Sequence, residues 1–305
     1  MKTYKDLPSD GGSNIVGQVT QQVYRLQKRL ASVRHTVAIM SGKGGVGKSL
    51  LTANLASALR LRGYDVGIVD ADINGPSIAK MTGVRSAQIC YDAAGVKPAV
   101  SPLGVKVMSM DLFLKNDESP VLWEAQTQKD AFTWRGTMEV TALREFLSDT
   151  EWGALDYLLI DLPPGSDRLP NLVDLLPTLG GAIVVTIPSG VSQLVVKKSL
   201  TMAKAALNIP VIGIVENMSA YICASCGKTE GLFTSGNTEE TANQFNIPLL
   251  PKIPFDPRLS IAADGGENFL EHSAETPAAK AIIEVGNKIE TFFQNSTASV
   301  PRSDS

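Results

Sequence analysis

The segment Gly42-Lys43-Gly44-Gly45-Val46-Gly47-Lys48-Ser49 constrains this chain more than any other. An apolar run at 35–40 precedes it and reads as a strand. A helical pattern at 50–60 follows it. A strand, a glycine-rich turn ending in Gly-Lys-Ser and a helix together form the phosphate-binding P-loop unit. The glycines let backbone N–H groups converge on phosphate oxygens at the positive end of a helix. The cradle is expected to run from Gly42 to Leu50. Lys48 is expected to reach the β- and γ-phosphates of a nucleotide, and the Ser49 hydroxyl to sit on Mg²⁺.

The remainder repeats the same alternation. Apolar strand candidates at 66–69, 105–110, 157–160, 182–187, 211–215 and 249–253 are interleaved with helical patterns at 50–62, 137–148, 191–207, 237–245 and 275–293. This predicts an α/β fold, a doubly wound and mostly parallel sheet with helices on both faces. Among the 305 residues, 44% are hydrophobic and only 6% aromatic, which suits strands buried on both faces. The expected organisation is an amino-terminal arm and helix at 1–34, an ATPase-type domain at 35–294 and a disordered Ser/Thr-rich tail at 295–305. No apolar run is long enough to cross a membrane, and the first residues have no secretory apolar core. A net charge of -3 gives no nucleic-acid footprint. Three cysteines make no disulfide framework, so the expected compartment is the reducing cytoplasm.

Two strand-ending carboxylate motifs face the same crevice. Asp70-Ala71-Asp72 ends one strand. Asp72 is expected to orient or activate a water, and Asp70 to support the loop or the metal's surroundings. Tyr157-Leu-Leu-Ile-Asp161 is the Walker B pattern, so Asp161 is expected to hold Mg²⁺ through water. Cys223-Ala-Ser-Cys226 supplies two thiols. By itself a CxxC serves zinc, iron–sulfur or redox chemistry, or none. A four-thiolate site needs four cysteines, and Cys90 lies far off in the sequence and reads as a buried apolar residue. Two chains would each have to donate Cys223 and Cys226 across a two-fold axis, around a [4Fe–4S] cluster or a Zn²⁺. Trp134-Arg135-Gly136, ahead of a helix, reads as a packing anchor or a partner-binding corner, with packing the expected use, and His35 and His272 read as surface or cap residues.

The early Lys43 resembles the deviant P-loop of the MinD, ParA and nitrogenase iron-protein group. In that group this lysine crosses to the partner's nucleotide. Over 35–290 the chain resembles the Mrp/ApbC family of P-loop ATPases, which act as iron–sulfur cluster carriers. The resemblance rests on Gly42–Ser49, Asp70–Ser77, Trp134-Arg135-Gly136, Asp161-Leu-Pro-Pro-Gly165, Glu216-Asn-Met-Ser219 and Cys223-x-x-Cys226. It implies a homodimer that hydrolyses ATP slowly, with catalytic roles for Lys43, Lys48 and Asp72. It implies a labile [4Fe–4S] cluster bridging the two chains, loaded by the iron–sulfur assembly machinery and delivered to apo iron–sulfur proteins. It also implies that Asn217 contacts adenine, with Pro254, Phe255 and Asp256 on the base's other side.

Two other functions compete. A MinD/ParA-like positioning switch calls for an amphipathic membrane helix or a basic DNA patch. The pattern at 275–293 is amphipathic but only mildly basic, so core packing is the expected use. A metal-insertion ATPase would use the same two-fold CxxC for nickel or zinc.

Overall fold

The sequence alternation becomes layered structure in the computed structural model, which describes residues 15–116, 128–165, 168–223, 225–233 and 236–298. In chain order, α1 (Ile15–Leu30) leads to β1 (Val33–Ser41), α2 (Lys48–Leu61), β2 (Val66–Asp70) and the short α3 (Ile78–Met81). Small strands follow: β3 (Cys90–Asp92), β4 (Gly95–Lys97), β5 (Ala99–Val100) and β6 (Lys106–Met108). Then come α4 (Gln128–Asp149), β7 (Leu155–Asp161), α5 (Arg168–Leu175), β8 (Gly181–Thr186) and α6 (Gly190–Thr201). The chain continues through β9 (Val211–Ile222), β10 (Thr229–Glu230), α7 (Thr238–Phe245) and β11 (Ile253–Phe255). It ends in α8 (Pro257–Gly265), α9 (Phe269–Ser273) and α10 (Pro277–Ala298).

Among the described residues nine strands form one sheet, ordered β10-β9-β8-β1-β7-β2-β6-β5, with β11 beside β9. The pairings from β9 through β6 are parallel; β5 and β10 are antiparallel edge strands. Every residue of β2 and β8 is buried, as expected of apolar strands covered on both faces. Alternation along β1 splits the core. Val37 and Ile39 pack under α2, α8, α9 and α10, whereas Ala38 and Met40 pack under α4, α5 and α6. The doubly wound α/β class is thus the observed one.

Several local expectations are corrected. β9 runs through to Ile222 instead of stopping at 215. Its polar residues are buried because each has a partner: Glu216 pairs with Lys252 at 3.2 Å, and Asn217 bonds the P-loop. α4 starts at Gln128, so Trp134-Arg135-Gly136 lies inside a helix and not ahead of one. α10 continues through Asn295 to Ala298, so the first part of the expected disordered tail is helical; 299–305 and the arm at 1–14 fall outside the described residues. Cys90 is exposed and not buried: it opens β3, every residue of which is exposed, in a separate two-stranded β3–β4 sheet. His35, expected at the surface or as a cap, is half-buried and stacks on Phe293 at 4.1 Å. Ala278, Ile282, Val285 and Ile289 of α10 are buried against the core, the packing use expected for that helix. No helix among the described residues is long and apolar enough to cross a membrane.

Candidate functional site

The turn from β1 into α2 puts the first amides of α2 at the carboxyl edge of the sheet. Gly47 caps α2 in the left-handed region at φ 80°, which a side chain tolerates poorly. It also lies against Asn217, whose Nδ2 donates to the Val46 carbonyl at 2.9 Å. Gly42 is needed for a different reason: a Cβ there would stand 2.7 Å from Val195 of α6.

The loop's cation meets β7 directly. Lys48 Nζ donates to Asp161 Oδ2 at 2.7 Å, and Ser49 Oγ donates to the same oxygen at 2.6 Å. Lys48 is 6% exposed and Asp161 not at all. Burial this deep is tolerable only because the charges compensate each other and hydrogen bonds fill the remaining valences. The second carboxylate oxygen, Oδ1, accepts from Thr52 Oγ1 at 2.6 Å. Sequence reasoning did not single out Thr52. The signal was available, because positions i and i+4 share one helix face and Thr52 follows Lys48 by four. Ser49 and Asp161 offer hydroxyl and carboxylate oxygens side by side. That hard-oxygen set fits Mg²⁺ and contains no soft donor.

Asp70 and Asp161 are register partners across β2 and β7. Burial, and then repulsion from Asp161, push the Asp70 carboxyl up to about 7. The Ile78 and Ser77 backbone N–H groups and the Ser109 hydroxyl counter this by donating to Oδ2 at 3.1, 3.0 and 3.0 Å. Asp70 therefore builds the loop. Asp72 is displayed by it: the Asp72 N–H donates to Asp70 Oδ1 at 3.2 Å, and Asp72 Oδ1 accepts from the Gly75 N–H at 3.1 Å. Ser109 is a second residue that sequence reasoning passed over, and nothing in the local sequence marks it. Lys43 is half-buried, and its amine has no acidic partner among the described residues. Ser166 and Asp167, after the Pro-Pro-Gly turn, lie outside the described residues, as do the side chains of Trp134 and Arg135.

The thiols occupy the far end of β9. Ile222 pairs with Thr229 of β10, so Cys223 and Cys226 sit in a hairpin, closed by Cys223 N–H to Lys228 carbonyl at 3.0 Å. Backbone N–H groups of Cys226 and Ser225 face Cys223 Sγ and hold its thiol below the ordinary range. Among the described residues no third His, Cys, Asp or Glu joins them as a metal-ligand cluster. From Asn217 to Cys223 the strand covers roughly 20 Å at ~3.3 Å per residue, so the two halves of the site are joined by one strand but do not touch. Phe255 pairs in register with Tyr221. A cavity of about 370 Å³ is lined by Pro254, Phe255 and Asp256 together with Tyr221, Cys223 and Arg258. Asp256 is engaged locally: it caps α8 and pairs with Arg258 at 2.7 Å.

Known proteins resemble this chain in sequence and fold. The family model described as ParA, NUBPL iron-transfer P-loop NTPase, matches residues 32–290. The iron–sulfur cluster carrier protein of Methanocaldococcus jannaschii is 42% identical over 275 residues, 89% of this chain and 91% of the relative. That of Saccharolobus solfataricus is 39% identical over 277 residues, covering 89% and 90%. Among solved structures, a nucleotide-binding protein from Archaeoglobus fulgidus in complex with ADP superposes with a TM-score of 0.69 at 34% identity, covering 84% of this chain and 94% of the other. The cell-division ATPase MinD of Pyrococcus furiosus shares the fold, with a TM-score of 0.56 at 23% identity over 84% of this chain and 98% of that one. With a P-loop closed on a strand-ending aspartate, a paired-thiol hairpin and relatives named as carriers, the chain belongs to the NUBPL iron-transfer P-loop NTPases, the iron–sulfur cluster carrier family.

Proposed function

We propose that this protein binds and slowly hydrolyses ATP, and carries a labile [4Fe–4S] cluster held between two copies of the chain for transfer to apo iron–sulfur proteins. The observation that carries this reading is the Cys223/Cys226 hairpin, a two-thiol unit without a third ligand among the described residues, on the strand whose Asn217 holds the P-loop. Two thiols are half of a four-thiolate site, so a second copy completes it. Assembly machinery supplies the cluster as cargo, and apoproteins receive it. The accessible thiols suit a reducing compartment, the cytoplasm.

The ATP half follows from the P-loop. Backbone N–H groups from Gly42 to Leu50 cradle the phosphates. Lys48 exchanges its bond to Asp161 for the β- and γ-phosphates when they arrive. Ser49 and Asp161 would hold Mg²⁺, which would supply positive charge against the phosphate oxygens when bound. Asp72 orients the attacking water and takes its proton. Lys43 stabilises charge at the partner copy's nucleotide across the closed dimer. Asn217 reads adenine, whose edge both donates and accepts, with Pro254, Phe255 and Asp256 on the base's other side.

The test is iron, acid-labile sulfide and zinc per dimer after anaerobic reconstitution, in wild type and in Cys223→Ser/Cys226→Ser. About four irons and four sulfides, absent from the double variant, support the carrier. Nickel or zinc alone would replace it with metal insertion. No bound metal at all would leave a nucleotide switch.

A further inference from the structure

Asp161 accepts side-chain hydrogen bonds from Lys48, Ser49 and Thr52. Its Oδ2 receives Lys48 and Ser49, the two P-loop groups expected to leave it for phosphate and metal. Among the described residues its Oδ1 receives Thr52 alone, at 2.6 Å. Thr52 Oγ1 also lies 3.0 Å from the Lys48 carbonyl. A hydroxyl has one proton, and the short, charge-assisted contact to the carboxylate takes it. Thr52 is fully buried on the face of α2 turned to the sheet, one turn beyond Lys48. Its methyl and hydroxyl are therefore fixed by packing, and its proton points at Asp161 whether or not Lys48 does.

We propose that Thr52 is a positioning residue for the metal–nucleotide site, holding Asp161 by Oδ1 so that Oδ2 faces Ser49 and the incoming Mg²⁺. This rests on the reading that Asp161 and Ser49 hold Mg²⁺. When Lys48 turns to phosphate, Thr52 is the donor that keeps the carboxylate from rotating about its Cβ–Cγ bond and that satisfies its buried inner oxygen. Partners of a ligating carboxylate that fix its orientation typically change metal affinity by 10–100-fold when removed.

Titrating Mg²⁺ into the protein with a fluorescent ATP analogue, and measuring the same affinity in EDTA, separates the roles. Thr52→Val keeps the volume and removes the proton. Its Mg²⁺ midpoint should rise about tenfold, with affinity in EDTA unchanged; Thr52→Ser should return the midpoint to within about twofold of wild type. A purely structural Thr52 would instead lower the melting temperature and weaken binding equally with and without Mg²⁺, which would overturn the proposal. Asp161→Asn separates this from the parent reading. If Asp161→Asn shifts the Mg²⁺ midpoint and Thr52→Val does not, Thr52 has no positioning role. If Asp161→Asn leaves the midpoint unmoved, Asp161 does not hold Mg²⁺, and the Thr52 proposal falls with it. Should Thr52→Val fail to fold, Thr52→Ala removes the same proton with a smaller group and carries the same titration.

Discussion

The same two strands, β1 and β7, do opposite things at their two ends. At the carboxyl end β1 runs into the P-loop and β7 ends at Asp161, and the neighbourhood is polar, charged and tightly hydrogen-bonded. At the amino end, β1 carries His35 and β7 carries Tyr157, and both rings pack with Phe293 of α10, at 4.1 and 6.1 Å between centroids. Tyr64 meets Tyr157 edge-on at 5.2 Å and donates to Glu290 at 2.6 Å. The difference follows from parallel topology. Each crossover helix begins at the carboxyl edge, so its unpaired N–H groups and positive dipole end gather there and attract anions. The opposite edge has no such field and is closed by aromatic packing. One end should govern chemistry, the other stability.

The largest effect that would sharpen this contrast is on turnover. Asp72→Ala should lower ATP hydrolysis by about 10²–10³-fold while leaving ATP affinity and melting temperature near wild type, read by phosphate release, calorimetry and thermal melts. A normal rate would remove Asp72 from the chemistry. Lys48→Ala should weaken ATP binding about a hundredfold, as loss of charge-assisted phosphate contacts does. It should also lower stability, because it strands the buried Asp161 carboxylate. This is the one place where the two ends should look alike, and unchanged ATP affinity would refute its phosphate role.

At the other end, Phe293→Ala should cost about 3 kcal/mol in denaturant unfolding and move ATP affinity less than twofold. A large change in affinity would break the separation between the ends. The pH dependence offers two smaller tests. Alkylation of Cys223 by iodoacetamide, followed by mass spectrometry, should reach half its plateau rate below the usual thiol range, because the Cys226 and Ser225 N–H groups favour the thiolate. Burial, and then Arg34, lower the His35 pKa below 6.5, with Asp156 opposing. The unfolded chain then binds more protons than the folded one between the lowered value and 6.5, so stability rises with pH across that window. It is lost progressively as pH falls through 6.5. His35→Phe should flatten that acid limb in melts, and an unchanged limb would place the titration elsewhere.

What the sequence could report depended on whether a signal was local. The P-loop was legible because its strand, its glycines and its helix are contiguous. Asp70 and Asp161 were legible because each ends an apolar run. β9 was not, because Glu216 and Asn217 break its apolar pattern, and their partners, Lys252 and Val46, are remote in sequence. Cys90 and His35 were misjudged for the same reason. Burial depends on what packs above a residue: β3 is exposed along its whole length, and the Phe293 ring that stacks on His35 lies far along the chain from it.

By itself, then, the sequence determined the alternating α/β pattern, the phosphate loop and the presence of a thiol pair, since backbone conformation and periodicity are properties of neighbouring residues. Only the tertiary structure decided which groups meet. Thr52 reaches Asp161 across 109 residues, Asn217 reaches Val46 across 171, and Asp70 and Asp161 lie side by side because β2 pairs with β7. Those meetings are set by strand order and by the helices packed on each face. They follow from how the whole apolar surface is buried, which no single segment encodes.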